Sequence, residues 1–316
     1  MAHRLTDDGR GVALCLISAV GFGLMAIFVK EAYAAGVSLI TLLALRFTLA
    51  GLAFWAIVAP RRPSFPARSV VLVGLAMGAV GYAAQSALYF GALKHIDASL
   101  TALLLYTYPA LVFGAALLLG RERGGVRRLG ALALSSAGTV LVLVGGAGGS
   151  PEPIGIAMGL GAACAYTVYI LVADRIAGRI DPMLLSALVA TGGAGSFVGF
   201  GLVTGSIDLA FAPAGWLWVA GIAGFSTVLA ISFFLKGLEL VGPATTGILS
   251  TLEPVVTVGL AMLIFAERLG ALQVLGGAAV ITAIVLLQAK VRSSGAPAEA
   301  PGPAPAGALA REPAGR

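Results

Sequence analysis

The sequence predicts an all-α membrane protein of ten transmembrane helices arranged as two inverted five-helix repeats. Three observations carry this. The first is composition: 59% of the 316 residues are hydrophobic and 11% charged, with a mean hydropathy of +1.00, whereas roughly a quarter of a soluble domain is charged. The second is a row of apolar runs long enough, at about 1.5 Å per residue, to cross a hydrocarbon core of about 30 Å. The third is an internal repeat. Tyr108, Pro109 and Glu122 recur 145 positions later as Glu253, Pro254 and Glu267, with Leu93 on Leu238 and Thr101 on Thr246. One residue out of phase, Gly11, Ala13 and Leu16 fall on Gly155, Ala157 and Leu160. A repeat that is missed misreads the whole fold.

Residues 1–10 are polar and read as a cytoplasmic N-terminus. A first repeat, 11–145, holds apolar runs at about 11–29, 38–59, 69–92, 98–119 and 126–145. A second, 154–289, holds runs at about 154–173, 182–204, 213–236, 243–264 and 270–289. The runs are continuous, unlike the alternating segments of membrane β-barrels. The first lacks a small-x-small cleavage pattern, so a retained helix is expected rather than a signal peptide. Residues 293–316 are rich in Ala, Pro and Gly without apolar periodicity and read as a disordered cytoplasmic tail.

Five crossings per copy is an odd number, so the second copy must enter the membrane from the opposite side. The distribution of positive charge tests this, because Lys and Arg crowd cytoplasmic loops. With the N-terminus inside, one side collects Arg4, Arg10, Arg61, Arg62, Arg68, Arg121, Arg123, Arg127, Arg128, Arg175, Arg179, Lys236, Lys290 and Arg292. The other holds Lys30, Lys94 and Arg268. The expected location is the cytoplasmic (inner) membrane, multi-pass, with both termini cytoplasmic. The pI near 9.6 reflects this topology, and no nucleic-acid partner is expected.

The loops are short, so function sits in the bundle. No Gly-x-x-x-x-Gly-Lys-Ser/Thr phosphate loop occurs, which argues against ATP-driven pumping. His3 and His95 lie outside the spans and no nucleophile–base or metal-ligand spacing falls within one; neither an enzyme, a cofactor nor a metal is expected. Cys15 and Cys164 fall inside spans and read as small packing residues. Inverted repeats in a bundle of this size are a recurring plan of secondary transporters, with the substrate site near the midplane.

Each copy carries a proline in its fourth helix, Glu-Arg at the following turn (Glu122-Arg123, Glu267-Arg268) and a glycine-containing fifth helix. With Tyr-Pro at 108–109, Leu-Glu-Pro at 252–254 and Ala-Leu-Arg-Phe at 44–47, the chain resembles the EamA-like branch of the drug/metabolite transporter superfamily over nearly all of 11–289. The resemblance implies a metabolite carrier of the cytoplasmic membrane, often an exporter, working without ATP. It also implies a central cavity lined by helices one to four and six to nine. An importer, a channel and a membrane-embedded lipid-modifying enzyme remain alternatives.

Glu253 heads the candidate substrate-binding residues. An ionisable group at that depth costs about 2.5–3.5 kcal/mol on insertion scales, so it needs a reason. It can bind a cationic group, take a proton, or satisfy backbone freed near Pro254. Its repeat mate, Tyr108, is uncharged. Arg46, in the second helix, can pair with Glu253, capture a substrate carboxylate bidentately, or hold carbonyls at a helix break. Tyr82, Gln85 and Tyr89 fall on one face of the third helix and suit either a small polar ligand or interhelical packing. Tyr106, Phe22 and Tyr166 are weaker lining candidates. Pro109 and Pro254 free the carbonyls of Leu105 and Ser250 and are candidate hinges. Glu122 and Glu267, at turns on opposite faces, fit capping of the next helix or pairing with a nearby Arg. Gly74/Gly78, Gly155/Gly159 and Gly195/Gly199 have the spacing that lets helices approach closely, and a homodimer is one use of it. The expected partners are therefore a small polar metabolite, the lipid bilayer, and protons if transport is proton-linked.

Overall fold

The computed structural model describes residues 2–120, 126–145, 152–176 and 178–289. Glu122 and the tail from 293 onward lie outside the described residues. Every regular element described is helical. Among the described residues, eight stretches are long and apolar enough to cross a membrane: Gly9–Ala34, Leu39–Arg61, Arg68–Ala92, Ala98–Leu118, Pro153–Ile176, Pro182–Thr204, Ala214–Gly242 and Thr245–Phe265. The chain is an all-α, multi-pass membrane protein. The helices match the apolar runs closely, except that the first continues to Ala34 and the seventh of these eight to Gly242. Hydropathy stops at Lys30 and at Lys236, but the helices do not, because each ammonium finds a carboxylate: Glu267 at 3.0 Å and Glu239 at 2.8 Å.

Several stretches are built from shorter pieces. The first joins α1 (Ala2–Gly23) to α2 (Met25–Ala34), and the second is α3 (Leu39–Val58). The third joins α4 (Arg68–Ala76) to α5 (Ala83–Ala92) through a π-helical segment, Met77–Tyr82. The fourth is α6 (Ala98–Leu105) and α7 (Tyr108–Leu118). After α8 (Val126–Gly145), α9 (Pro153–Ile176) and α10 (Pro182–Thr204), α11 (Ala214–Ala220) leads through a second π-helical segment, Gly221–Leu229, into α12 (Ala230–Ser250). Within α12 the chain turns at Gly242, whose φ of 76° suits only glycine comfortably. α13 (Leu252–Phe265) and α14 (Ala271–Ala289) complete the chain. The breaks at Tyr106 and Thr251 lie 145 positions apart, and the π segments overlap at the same spacing. A π turn leaves backbone groups re-registered and is often found at functional sites.

Small residues decide which helices touch. α8 packs on α14 where Gly138 meets Gly276; a Cβ on either would lie 2.7 or 2.5 Å from the other's carbonyl oxygen. α10 presses on the first π segment. A Cβ on Gly78 would fall 2.0 Å from the Val189 carbonyl oxygen and one on Gly192 2.1 Å from that of Leu75. The expected close approach therefore holds at Gly74/Gly78 against α10, and at Gly155/Gly159 against Ile96 and Leu104. It does not hold at Gly195/Gly199, which face open space. Spacing alone cannot say which face of α10 is partnered, and the packed face is the one carrying Gly192 and Gly193. Cys15 is buried as expected, but Cys164 is exposed and packs nothing into the core.

Candidate functional site

All six predicted binding residues line one chamber. Arg46, Tyr82, Gln85, Tyr89, Tyr108 and Glu253 surround a cavity of about 80 Å³, together with Phe22, Tyr106 and Tyr166. Through Phe22, Tyr82, Tyr106, Tyr108, Tyr166 and Glu253 it continues into a vestibule of about 270 Å³. The vestibule in turn meets, at Pro182 and Leu235, a cleft rimmed by Arg10, Arg61, Asp181, Lys236 and Glu239. The chamber is thus connected toward the face that carries Arg10, called here the N-terminal face.

Arg46 projects from α3 and is 1% exposed. Its Nε donates to Thr227 Oγ1 at 3.1 Å, Nη1 to Ser86 Oγ at 3.4 Å and Nη2 to Tyr82 Oη at 3.2 Å. The rings of Phe47, Tyr82 and Phe90 lie 5.0–5.7 Å from its guanidinium carbon. Cation–π attraction is strongest in such a desolvated place. Tyr82 and Thr227 stand at the repeat spacing of 145 residues, one at the end of each π segment's shared register. Thr227 Oγ1 donates to Ile222 O, five residues back, at 2.8 Å and so stays free to accept from Arg46. Among the described residues no carboxylate pairs with Arg46. The pairing with Glu253 considered from the sequence is absent, and so is any hold on backbone carbonyls; side-chain hydroxyls and ring faces disperse the charge instead. Of the five N–H donors of a guanidinium, three are directed this way.

Glu253 begins α13 and faces the chamber from the other half of the chain. Its Oε2 accepts from Tyr106 Oη at 2.8 Å. Tyr106 Oη also lies 3.0 Å from the carbonyl oxygen of Ser250, the one that Pro254 leaves without an amide partner. At both breaks a threonine turns back on the helix: Thr107 Oγ1 donates to Leu104 O at 2.8 Å and Thr251 Oγ1 to Ile248 O at 2.6 Å. Both prolines sit just beyond these interruptions. A chain of rings, Tyr106–Tyr108–Tyr166–Tyr169–Tyr82, runs around the chamber mouth at centroid spacings of 4.7–5.9 Å. Among the described residues no group of three His, Cys, Asp or Glu could hold a metal ion.

Away from the Arg10 face, a second polar cluster gathers around Glu267. Glu267 accepts from the Ala98 amide at 2.9 Å, the Ser99 amide at 3.0 Å, Ser99 Oγ at 2.7 Å and Lys30 Nζ at 3.0 Å. It therefore caps α6, a helix start far away in sequence, rather than the next helix, and its partner is Lys30 rather than an arginine. Burial works to raise its carboxyl pKa, but the Ser99 and Ala98 hydrogen bonds and Lys30 outweigh this and hold it below the ordinary value. Asp97 beside it is pushed up, by burial first and then by the Glu267 charge. Tyr33 Oη donates to Phe90 O at 2.9 Å and Lys94 lies 5.0 Å over the Tyr33 ring.

Sequence reasoning did not name Ser86 or Thr227, and it placed Tyr106, which bonds Glu253, among the weaker lining candidates. A signal existed for Thr227, because it occupies the position of Tyr82 in the second copy. The residues from 9 to 144, and again from 153 to 288, match the EamA-like transporter family. The chain belongs to this family. An uncharacterized transporter of Bacillus subtilis (strain 168), YcbK, is 26% identical over 283 residues, covering 86% of this chain and 91% of that protein. An uncharacterized transporter of Archaeoglobus fulgidus is 25% identical over 276 residues, covering 87% and 95% respectively. A protein of known crystal structure shares the fold with a TM-score of 0.64, at 18% identity over 90% of this chain and 98% of its own. This EamA-like protein is a transporter.

Proposed function

We propose that this transporter is a secondary carrier of ten transmembrane helices in two inverted repeats, 11–145 and 154–289. It moves a small polar metabolite, amino-acid-like in its charges, out of the cell across the cytoplasmic membrane by alternating access. The observation that carries this reading is a half-buried acid, Glu253, and a buried guanidinium, Arg46, drawn from the two halves and lining one chamber without pairing with each other. Left apart, Glu253 meets an ammonium and Arg46, with donors to spare, meets a carboxylate; a substrate bearing both neutralises two charges at membrane depth at once. Tyr82, Gln85, Tyr89 and Tyr108 supply the polar and aromatic wall that orients such a molecule. The double family match and the equivalent breaks before Pro109 and Pro254 support two copies that rock against each other, with the prolines as hinges. Placing the N-terminus in the cytoplasm makes the observed conformation inward-open.

Counterflow tests this. Proteoliposomes are loaded with unlabelled amino acids, sugars or nucleosides, and uptake of the labelled compound is measured. Labelled zwitterion is expected to accumulate transiently, and both Glu253→Gln and Arg46→Ala are expected to abolish the overshoot. If both variants kept wild-type transport and its pH dependence, the site assignment would be wrong.

A further inference from the structure

Tyr106 presents a problem of hydrogen counting. Its hydroxyl carries one hydrogen, yet two acceptors lie within bonding distance: Glu253 Oε2 at 2.8 Å and Ser250 O at 3.0 Å. Ser250 O has no intrahelical amide to turn to, because residue 254 is proline. When Glu253 is ionised it can only accept, so the Tyr106 hydrogen is drawn to the charge and the Ser250 carbonyl is left short. When Glu253 is protonated it can donate to Tyr106 Oη, which is then free to give its own hydrogen to Ser250 O. Only the protonated arrangement satisfies all three groups.

We infer that Tyr106 is a positioning residue that couples protonation of Glu253 to closure of the break between α12 and α13, making transport proton-linked. A proton arriving from the N-terminal face through the vestibule adds to the Glu253 carboxylate. The Glu253 O–H then donates to Tyr106, and the Tyr106 O–H braces Ser250. Loss of the proton reverses the chain and releases the carbonyl at the hinge. The groups facing Glu253 are compatible with one proton site. They are Tyr106 and Tyr108 from the α6–α7 helix, Tyr82 and Tyr89 from the third stretch, Tyr166 from α9 and Arg46 from α3. From the first stretch, which also packs on α13, Lys30 is engaged with Glu267 at the far end. The transport arm of this inference rests on the carrier reading above; the hydrogen-bond switch does not.

Hydrogen–deuterium exchange of the segment 245–258, corrected for intrinsic pH dependence, tests the switch without any substrate. Wild type is expected to exchange about tenfold more slowly in acid than in alkali, the equilibrium effect of one net hydrogen bond. Tyr106→Phe removes the brace and should exchange fast at every pH. Glu253→Gln, whose amide can always donate to Tyr106, should exchange slowly at every pH. Pro254→Ala restores an amide for Ser250 O and should also be slow and flat, which guards against a Tyr106→Phe protein that fails to fold. Wild-type exchange without pH dependence, or a Tyr106→Phe profile like wild type, would overturn the inference. In proteoliposomes, the ratio of pH-gradient-driven accumulation to equal-pH counterflow should fall to about one in Tyr106→Phe. An unchanged ratio would count against coupling, whereas absence of counterflow in every protein would defeat the carrier reading and leave the exchange result to decide on Tyr106.

Discussion

At the scale of single residues, the chain gives each charge in or beside the membrane a different kind of company. Arg46 has hydroxyls and ring faces, Glu253 has one tyrosine, and Glu267 has two amides, a serine and a lysine. Arg46→Lys should therefore not rescue Arg46→Ala, because an ammonium cannot reach Thr227, Ser86 and Tyr82 from one plane. Thermal unfolding in detergent is expected to show both variants destabilised by about 2–3 kcal/mol, the cost of a broken buried network. Glu267 gives a pH-dependent case. Its folded carboxyl is held below the ordinary value, so its contribution is present in full above the unfolded pKa of about 4.3 and is lost as pH falls through the lower folded value. Glu267→Gln should be less stable than wild type by about 1–3 kcal/mol at pH 7, and the gap should close in acid; a gap that widened in acid would contradict the assignment. The binding candidates were legible in the sequence because a polar residue in an apolar run advertises itself. Their partners were not. Ser86 and Thr227 are ordinary helix residues by composition, and the cap that Glu267 places on Ala98 and Ser99 spans a distance in sequence that no local pattern encodes.

At the scale of elements, hydropathy located the helices but could not see inside them. The π segments at Met77–Tyr82 and Gly221–Leu229 have no hydropathic mark, since one extra residue per turn leaves an apolar run apolar. Yet they aim Tyr82 and Thr227 at Arg46. The breaks at Tyr106 and Thr251 were half legible, through the prolines that follow them. Glycine spacing announced close approach without saying where, which is why Gly195 and Gly199 read like Gly74 and Gly78 and behave differently. Gly78→Ala should collide with the Val189 carbonyl and cost at least about 1–3 kcal/mol. Gly199→Ala, with nothing within 4 Å, should be neutral or stabilising by up to about 1 kcal/mol through helix propensity. Thermal unfolding of the two variants side by side checks this, and equal effects would mean that the α10 interface is drawn wrongly.

At the scale of the whole molecule, the chamber shares its lining with the vestibule and cleft that lead to the N-terminal face, while Lys30, Ser99 and Glu267 form a bonded cluster elsewhere. In a background lacking Cys164, Ser186→Cys in the vestibule should react with a water-soluble thiol reagent, while Met25→Cys, which lines the smaller chamber beyond it, should react far more slowly. Adding Lys30→Ala should raise the Met25→Cys rate when reagent is supplied from the opposite face; no change would show that the Glu267 network does not close that face. The order of the ten apolar runs was readable from hydropathy, but the side on which the chamber opens depends on which side chains fill its ends, and composition is silent on that. The cradle of Arg46 has one more consequence. Ser86 and Tyr82 come from the same half of the chain as Arg46, but Thr227 comes from the other half. A lone first half would carry a guanidinium into lipid with its cradle incomplete, at the cost of an unsatisfied charge in the membrane. Joining the halves in one reading frame fixes their stoichiometry at synthesis, so each Arg46 is made together with the Thr227 that completes its cradle.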